Sequence, residues 1–139
     1  MNIQEMDQIL VIPIQKEDDI IIARKTAREL TQLMEFKPAN QARILTAVSE
    51  LARNIYRYAG DGHIRFETVE EQMKRGIRIT AIDSGPGIKN IRQAMEQGFT
   101  TSGSLGAGLP GVKKMMDEFF IESCPENGTT VNVAKWELR

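Results

Sequence analysis

Glycine is concentrated in one stretch of this chain, and that stretch constrains the fold. Seven of the 11 glycines lie between Gly85 and Gly111. Glycine has no side chain and adopts backbone conformations that other residues avoid, so a glycine-rich backbone can approach a ligand closely. We therefore expect a ligand-binding loop in this stretch, with regular helices and strands on both sides of it.

Length and composition predict one small domain with a local binding site. The 139 residues are 41% hydrophobic, which suffices for one packed core and is too little for two ordinary domains. We expect a single domain over residues 1–139. The net charge of -1 argues against a general attraction to nucleic acid or to an anionic membrane. The chain starts without a signal-peptide pattern and has no apolar run of membrane length, which predicts a cytoplasmic location.

The single cysteine and the single histidine offer little chemistry. Cys124 alone cannot form an intrachain disulfide or a multi-cysteine metal site, and we expect a buried or inert thiol. His63 opens an apparent strand, and no second histidine is present to share a metal with it. The functional residues must therefore be sought among other side chains.

The first half of the chain predicts a strand followed by two amphipathic helices. Val, Ile and Leu alternate from Gln8 to Ile14, as in a strand, and Asp18 or Asp19 can then cap a helix. Apolar residues at steps of three and four give this helix one buried face, formed by Ile20, Ala23, Ala27, Leu30 and Met34. Pro38 restarts the chain, and the second helix carries a similar stripe before a turn at Gly60, namely Ile44, Val48, Leu51, Ile55 and Tyr58.

The second half of the chain predicts four strands and one helix. His63 to Val69 and Ile77 to Asp83 indicate a hairpin, joined by a charged loop that contains Lys74, Arg75 and Gly76. Residues 112–118 should be helical, and residues 119–124 and 129–136 should form a closing pair of strands.

Early helices and hairpin-connected strands together predict the fold class. We expect an α/β two-layer sandwich, in which a mixed, mostly antiparallel sheet carries its helices on one face. The last strand supports this arrangement, because Val131 and Val133 share one face while Thr130, Asn132 and Ala134 share the other.

Two polar residues lie one turn apart on the second predicted helix, at the border of its apolar stripe. They are Glu50 and Asn54. A carboxylate there can orient or deprotonate an attacking hydroxyl or water, and an amide oxygen can complete a Mg²⁺ shell otherwise made of phosphates and water. The same spacing is common in exposed polar pairs. The pair alone leaves both interpretations open.

Asp83 ends an apolar strand and is followed at once by the turn Ser84-Gly85-Pro86-Gly87. A carboxylate held at a strand end can accept a hydrogen bond from the exocyclic amine of adenine, and glycine lets the backbone approach the ring edge. Guanine would present a carbonyl at that place, so the site would prefer ATP to GTP. An ordinary capped turn is the alternative interpretation.

The segment from Gly106 to Gly111 contains a Gly-x-Gly-x-x-Gly pattern. A dinucleotide-binding site would need a strand before this pattern and a βαβ unit after it, and the chain ends too soon after Gly111 for that. Glycines that lead into a helix at Val112 can instead present free N–H groups to phosphate oxygens, with the hydroxyls of Thr101 and Ser102 as further donors. A flexible Gly/Ser loop without a ligand is the alternative.

These three elements and their order resemble the GHKL ATPase superfamily. Glu50 to Asn54 is similar to its N box, Asp83 to Gly87 to its G1 box, Gly106 to Leu109 to its G2 box, and Gly128-Thr129 to its last box. The resemblance spans nearly the whole chain. The segments 49–56, 98–103 and 105–113 resemble most the small switch serine/threonine kinases of the bacterial stressosome.

The resemblance implies a Bergerat-fold protein serine/threonine kinase that uses ATP and Mg²⁺. It implies that Asn54 holds Mg²⁺, that Glu50 is the catalytic base, and that Asp83 reads adenine beside Gly85 and Gly87. The other predicted nucleotide-binding residues lie in or near the glycine-rich loop, except for Thr129 in the last box. They are Thr101, Ser102, Gly103, Gly106, Ala107, Gly108, Leu109 and Thr129.

The resemblance also implies partners that neither composition nor spacing reveals. STAS-domain proteins of the RsbS and RsbR type would be the substrates, and the released kinase would bind and activate a PP2C-type phosphatase of the RsbU type. One alternative is a nucleotide-gated module that docks onto a phosphatase or a sigma factor and has little kinase activity. Another is the ATPase module of a histidine kinase, which the lack of a phosphoacceptor-histidine helix pair disfavours.

The predicted lid departs from that of the related sporulation anti-sigma kinase. An arginine precedes the glycines there, whereas this chain has Ser104 and Leu105, and no Arg or Lys occurs between Gln93 and Val112. The charge on the transferred phosphoryl group must then be offset by Mg²⁺, by backbone N–H groups, by Lys113 or by a partner. We expect slow turnover without the partner, and we expect nucleotide to order residues 98–106.

Overall fold

The computed structural model describes residues 8–85, 95, 108–124 and 127–138. Within these ranges the helices and strands are β1 (Ile9–Ile14), α1 (Asp18–Leu33), α2 (Pro38–Tyr58), β2 (Gly62–Glu70), β3 (Lys74–Asp83), α3 (Gly108–Met115), β4 (Glu118–Cys124) and β5 (Gly128–Leu138). The strands form one sheet in the order β1-β2-β3-β5-β4. Each pair of neighbouring strands is antiparallel.

The sheet and the helices form two layers, which confirms the predicted fold class. Val131 and Val133 on β5 are buried, whereas Asn132 between them is exposed. The other face of the sheet carries polar contacts, such as the hydrogen bond of 2.6 Å from Thr80 Oγ1 to Asn132 Oδ1. The largest fully buried side chains come from strands and helices alike, and they include Phe66, Ile14, Met34, Ile44, Leu51, Ile64, Ile77 and Ile79.

The apolar stripes of the two long helices are buried, with one exception. The α1 stripe from Ala23 to Met34 is buried, and Ile20 is half-buried. The α2 stripe ends at Ile55, because residues 56–58 are all exposed. The prediction that Tyr58 belongs to the core is therefore wrong. The last turn of α2 projects beyond the core, so this tyrosine stays in contact with solvent.

The start of α1 differs from the prediction. The N-cap residue is Glu17, and its side chain makes no capping hydrogen bond. Asp19 lies inside the first turn, where its Oδ2 accepts the backbone N–H groups of Gln15 at 2.8 Å and Lys16 at 2.9 Å. These backbone hydrogen bonds lower the pKa of Asp19. Its carboxylate thus fastens the preceding loop to the helix.

Two predicted boundaries are wrong because strand pairing extends further than the sequence pattern indicates. The segment Lys74 to Gly76 is part of β3, where it pairs with residues 136–138 of β5. Glu118 begins β4 opposite Ala134 and does not end a helix. The thiol of Cys124 is exposed at the end of β4. In the part of the chain that the structure describes, none of the helices has the length and apolar character needed to cross a bilayer.

The N-terminus of α2 is fixed to the last strand by a buried carboxylate. Glu137 Oε2 accepts the backbone N–H of Lys37 at 2.7 Å and the side-chain amide of Asn40 at 2.8 Å. Its Oε1 lies 3.8 Å from Arg75 Nη2. Negative charge at a helix N-terminus is favourable because unpaired N–H groups point toward it. This contact sets the position of α2 over the sheet, and α2 carries two of the predicted site residues.

Candidate functional site

Asp83 is half-buried at the end of β3 and is held by two backbone groups. Its Oδ1 accepts the N–H of Gly85 at 3.0 Å and the N–H of Thr129 at 3.2 Å. Its Oδ2 has no hydrogen-bond donor among the described residues. An ionised carboxylate only accepts hydrogen bonds. Asp83 therefore presents one free acceptor in a direction fixed by its other oxygen.

Two glycines allow the backbone to pack tightly around Asp83. Gly128 has a φ of +87°, and a Cβ there would collide with the carbonyl group of Asp83. At Gly85, a Cβ would lie 2.6 Å from the Cβ of Ala59, in the residue that follows α2. Only glycine fits these places without a shift of the backbone. The start of β5 and the end of α2 thus meet at the turn after Asp83.

Thr129 lies on the helix-facing side of β5, as its alternation with Val131 predicts. It is buried, and its Oγ1 lies 2.8 Å from Ser123 Oγ on β4, a distance at which either hydroxyl can donate. Its backbone N–H points to Asp83. Thr129 is thus brought to Asp83 by the pairing of β3 with β5.

Glu50 and Asn54 lie one turn apart on α2 and differ in environment. Glu50 is only 7% exposed, and its Oε1 accepts a hydrogen bond of 2.8 Å from Arg53 Nη1. Asn54 is half-buried, and its side chain has no hydrogen-bond partner within the described ranges. The interpretation as an exposed polar pair is therefore wrong for Glu50. A buried carboxylate beside a free amide can serve chemistry or hold a ligand.

The helix α2 sets the spacing between these side chains and Asp83. The turn after Asp83 contacts Ala59 through Gly85, and Asn54 and Glu50 precede Ala59 by five and nine residues. At a rise of 1.5 Å per residue, they lie about 7 Å and about 13 Å further along the helix axis. From the C-terminal end of α2 toward its N-terminus, the order is thus Asp83, which lies beside that end, then Asn54 and then Glu50.

The structure describes only part of the third predicted element, the glycine-rich segment from Gly106 to Gly111. Gly108 has a φ of +63° and begins α3, and Leu109 behind it is buried. The helix therefore starts before Val112, the predicted first residue, so the last glycines belong to its first turn. The N–H groups of a first helical turn have no partner within the helix. The other residues predicted for this loop and its surroundings lie outside the described residues, and they are Gly87, Thr101, Ser102, Gly103, Gly106 and Ala107.

Sequence reasoning missed three residues that shape the site. Arg53 could have been found, because arginine three residues after a glutamate on a helix is a common ion-pair spacing. Ser123 and Ala59 left no such signal, since their contacts with Thr129 and Gly85 depend on strand register and on the end of α2.

Comparison with known proteins shows which proteins this chain is similar to. Residues 39–139 match the family described as histidine kinase-, DNA gyrase B- and HSP90-like ATPases. Serine/threonine-protein kinase RsbT of Bacillus subtilis is 52% identical over 125 residues, which cover 90% of this chain and 94% of that protein. An anti-sigma F factor of Caldanaerobacter subterraneus is 35% identical over 99 residues, which cover 68% of this chain and 69% of that protein.

A solved structure extends the likeness to the fold. The RsbU and RsbW domains of a Mycobacterium tuberculosis protein match with a TM-score of 0.66 and 18% identity, over 94% of this chain and 32% of that chain. The family match begins at the second residue of α2 and includes Asp83 and β5, so it covers the described residues of the candidate site. This chain therefore belongs to the histidine kinase-, DNA gyrase B- and HSP90-like ATPase family, and within it to the protein serine/threonine kinases.

Proposed function

We propose that this protein is the switch kinase of a stressosome, acting as a single kinase domain over residues 1–139 in the cytoplasm. It transfers the γ-phosphoryl group of ATP to a serine or threonine of STAS-domain proteins of the RsbS and RsbR type. When released from them, it binds and activates a PP2C-type phosphatase of the RsbU type. The identity of 52% to RsbT over 90% of the chain supports these partners.

The observation that carries the proposal is the order of three side chains along α2. Asp83 lies near Ala59 at the C-terminal end of α2, Asn54 lies further along, and Glu50 is the most distant. A nucleotide that lies along the helix would place its base, its phosphates and the attacking hydroxyl in the same order. The spacing of about 13 Å set by the helix rise suits a molecule with a base at one end and a reactive phosphate at the other.

Asp83 reads adenine in this proposal. Its free Oδ2 accepts a hydrogen bond from the exocyclic amine, and the other residues proposed to bind the base are Gly85, Gly87 and Thr129. Guanine places a carbonyl oxygen where adenine has this amine, so two acceptors would face each other. A site built to pair with a donor rejects an analogue that lacks the donor by orders of magnitude.

Asn54 and the glycine-rich segment hold the phosphates and Mg²⁺. Mg²⁺ keeps several waters and takes one or two protein oxygens together with phosphate oxygens, which fits a half-buried Asn54 whose amide has no partner within the described ranges. When bound, the ion offsets the negative charge of the phosphates. The residues proposed to contact the phosphates are Thr101, Ser102, Gly103, Gly106, Ala107, Gly108 and Leu109, and N–H groups in the first turn of α3 are suitable donors.

Glu50 acts as the base. The hydroxyl of the acceptor serine or threonine forms a bond to the γ-phosphorus while the bond from that phosphorus to the β,γ-bridging oxygen breaks, which releases ADP. The hydroxyl proton passes to Oε2 of Glu50, the oxygen that has no partner among the described residues. Glu50 as a whole is buried, but Oε2 is not among the fully buried atoms without a partner in the described residues, so an incoming hydroxyl can reach it.

The test is phosphoryl transfer from labelled ATP to a purified STAS-domain protein. The parent chain should label the partner, and Glu50→Gln should bind Mg-ATP as well as the parent and label it far more slowly. Glu67→Gln is the matched control, since Glu67 lies on β2 and its side chain forms, among the described residues, only a loose ion pair of 3.9 Å with Arg65. A parent that labels no STAS protein, or a Glu50→Gln variant with parental activity, would contradict the proposal.

A second candidate is a nucleotide-gated binding module with little kinase activity. The lack of any Arg or Lys between Gln93 and Val112 favours it, because no basic side chain of that segment can offset phosphoryl charge. In that case the protein would bind its partner in an ATP-dependent way without labelling it. The same assay, combined with a binding measurement at saturating Mg-ATP, separates the two candidates.

A further inference from the structure

We propose that Arg53 is a positioning residue for the phosphoryl transfer, because its hydrogen bond to Oε1 of Glu50 orients the carboxylate so that Oε2 faces the hydroxyl and takes the proton. This inference rests on the proposed function. Its starting point is the contact of 2.8 Å between Arg53 Nη1 and Glu50 Oε1. The consequence is that the base has one defined direction before substrate arrives.

Glu50 differs from the other buried carboxylate of the described residues. Glu137 is buried to the same degree, and both of its oxygens are engaged, Oε2 by two N–H groups and Oε1 by Arg75. Glu50 has the Arg53 contact on Oε1 and no donor for Oε2 within the described ranges. Nearly all buried polar groups in proteins have at least one hydrogen-bond partner, and in this part of the chain Glu50 has its partner on Oε1 alone. Oε2 of Glu50 is not among the fully buried unpartnered atoms of the described residues, so this oxygen stays open to another group.

The helix makes this contact local and directional. Residues three apart are neighbours on a helix surface, and Arg53 extends from a more exposed position toward Glu50, with side chains 33% and 9% exposed. A guanidinium stays protonated and cannot accept the hydroxyl proton. Arg53 can therefore orient the base without competing with it. Without this contact, Glu50 would retain its side-chain torsional freedom, and both oxygens would sample several directions.

Loss of the contact should lower the rate and spare nucleotide binding. In Arg53→Gln we expect the rate of transfer to the STAS-domain protein to fall about tenfold to a hundredfold, which is the scale of a small misplacement of a catalytic group. The dissociation constant of Mg-ATP, measured by calorimetry, should stay close to the parental value. Arg53→Lys keeps a cation in reach of Oε1 and should recover most of the rate.

The same helix provides a matched control. Arg43 donates from Nη1 to Asn40 Oδ1 at 2.9 Å, again three residues earlier. It precedes Arg53 by ten residues, which is about 15 Å along the axis. Arg43→Gln removes a contact of the same geometry away from the site, and it should leave the transfer rate unchanged.

A double-mutant cycle separates positioning from direct action on the phosphate. In a Glu50→Gln background, single-turnover transfer should be no slower with Arg53→Gln than without it, because the group that Arg53 positions is already lost. The inference would be overturned if Arg53→Gln lowered the transfer rate by the same factor in the Glu50→Gln background as in the parent. Arg53 would then act on the phosphoryl group itself. Parental activity in Arg53→Gln, or no recovery in Arg53→Lys, would overturn it as well. A parent chain that transfers no phosphoryl group would overturn the proposed function instead, and this inference with it.

Discussion

Thr129 donates its backbone N–H to Oδ1 of Asp83 at 3.2 Å, although the two residues are 46 positions apart. The only other donor to this carboxylate among the described residues is Gly85, two positions away. Asp83 is thus held by its own turn and by the strand that pairs with β3. The direction of its free oxygen depends on the register of the sheet as well as on the local turn.

Asp83→Asn should abolish ATP binding and leave the fold intact. The substitution replaces one acceptor oxygen by a donor, so the new amide cannot both accept the two backbone N–H groups and offer an acceptor to the adenine amine. Calorimetry with Mg-ATP and a thermal unfolding curve measure the two effects. Asp61→Asn is the control, because Asp61 lies in the turn after α2 and bonds only the exposed Gln15 side chain among the described residues. Equal ATP affinity in parent and Asp83→Asn would remove Asp83 from adenine recognition.

Asn54→Ala should weaken the dependence of ATP binding on Mg²⁺. The substitution removes one oxygen ligand while alanine keeps the helix, since it has the best helix propensity. Binding of ATP is measured by titration at several Mg²⁺ concentrations and in EDTA. We expect the parent to gain much more affinity from Mg²⁺ than the variant does. Identical Mg²⁺ dependence in both proteins would show that Asn54 is not a ligand.

Gly128→Ala should reduce both stability and ATP affinity, and Gly60→Ala is its matched control. Both glycines have positive φ angles, of +87° and +76°, so both variants lose about 1–2 kcal/mol to backbone strain. A Cβ at Gly60 meets no described atom within 4 Å, whereas a Cβ at Gly128 meets the backbone of Asp83. Urea unfolding should therefore show the larger loss for Gly128→Ala, and only this variant should bind ATP more weakly. Equal effects would mean that the contact with Asp83 is unimportant.

Glu137→Ala should destabilise the protein by roughly 3–5 kcal/mol, because it leaves the Arg75 charge and the amide groups at the start of α2 without their partner. Within the described part of the chain, Arg75 Nε is buried and has no hydrogen-bond partner. Urea unfolding measures the loss. Glu67→Ala serves as a surface comparison, and its ion pair with Arg65 should contribute less than about 1 kcal/mol. A Glu137→Ala variant as stable as Glu67→Ala would contradict the role of Glu137 as an anchor.

Asp19 should make folding stability depend on pH in the acid range. Backbone hydrogen bonds from Gln15 and Lys16 lower the pKa of Asp19 below its ordinary value of 3.8. A carboxyl group whose pKa is lower in the folded state stabilises the fold above the unfolded pKa, and this contribution is lost as the pH falls through the folded pKa. Asp19→Asn should therefore lose less stability than the parent between pH 6 and pH 3, as thermal unfolding would measure. A loss of stability in Asp19→Asn as large as that of the parent over this range would contradict the role of Asp19.

Local patterns in the sequence were sufficient for most of the helices and strands and for the choice of candidate site residues. The three- and four-residue spacing of Ala23, Ala27 and Leu30 predicted a buried helix face, since every turn of a helix repeats the same direction. The strand before Asp83 and the glycine after it predicted a carboxylate at a strand end. Resemblance of ordered motifs predicted the family, which the comparisons confirm.

Only the tertiary structure decided what each candidate side chain contacts. The burial of Glu50, the meeting of Gly128 with Asp83, and the exposure of Tyr58 depend on how α2 lies over the sheet and where it runs past the core. The inclusion of Lys74 in β3 depends on pairing with Leu138, 64 positions away. A local pattern records the periodicity of one element, whereas these contacts depend on strand register and helix packing, which arise when distant segments bury their apolar faces together.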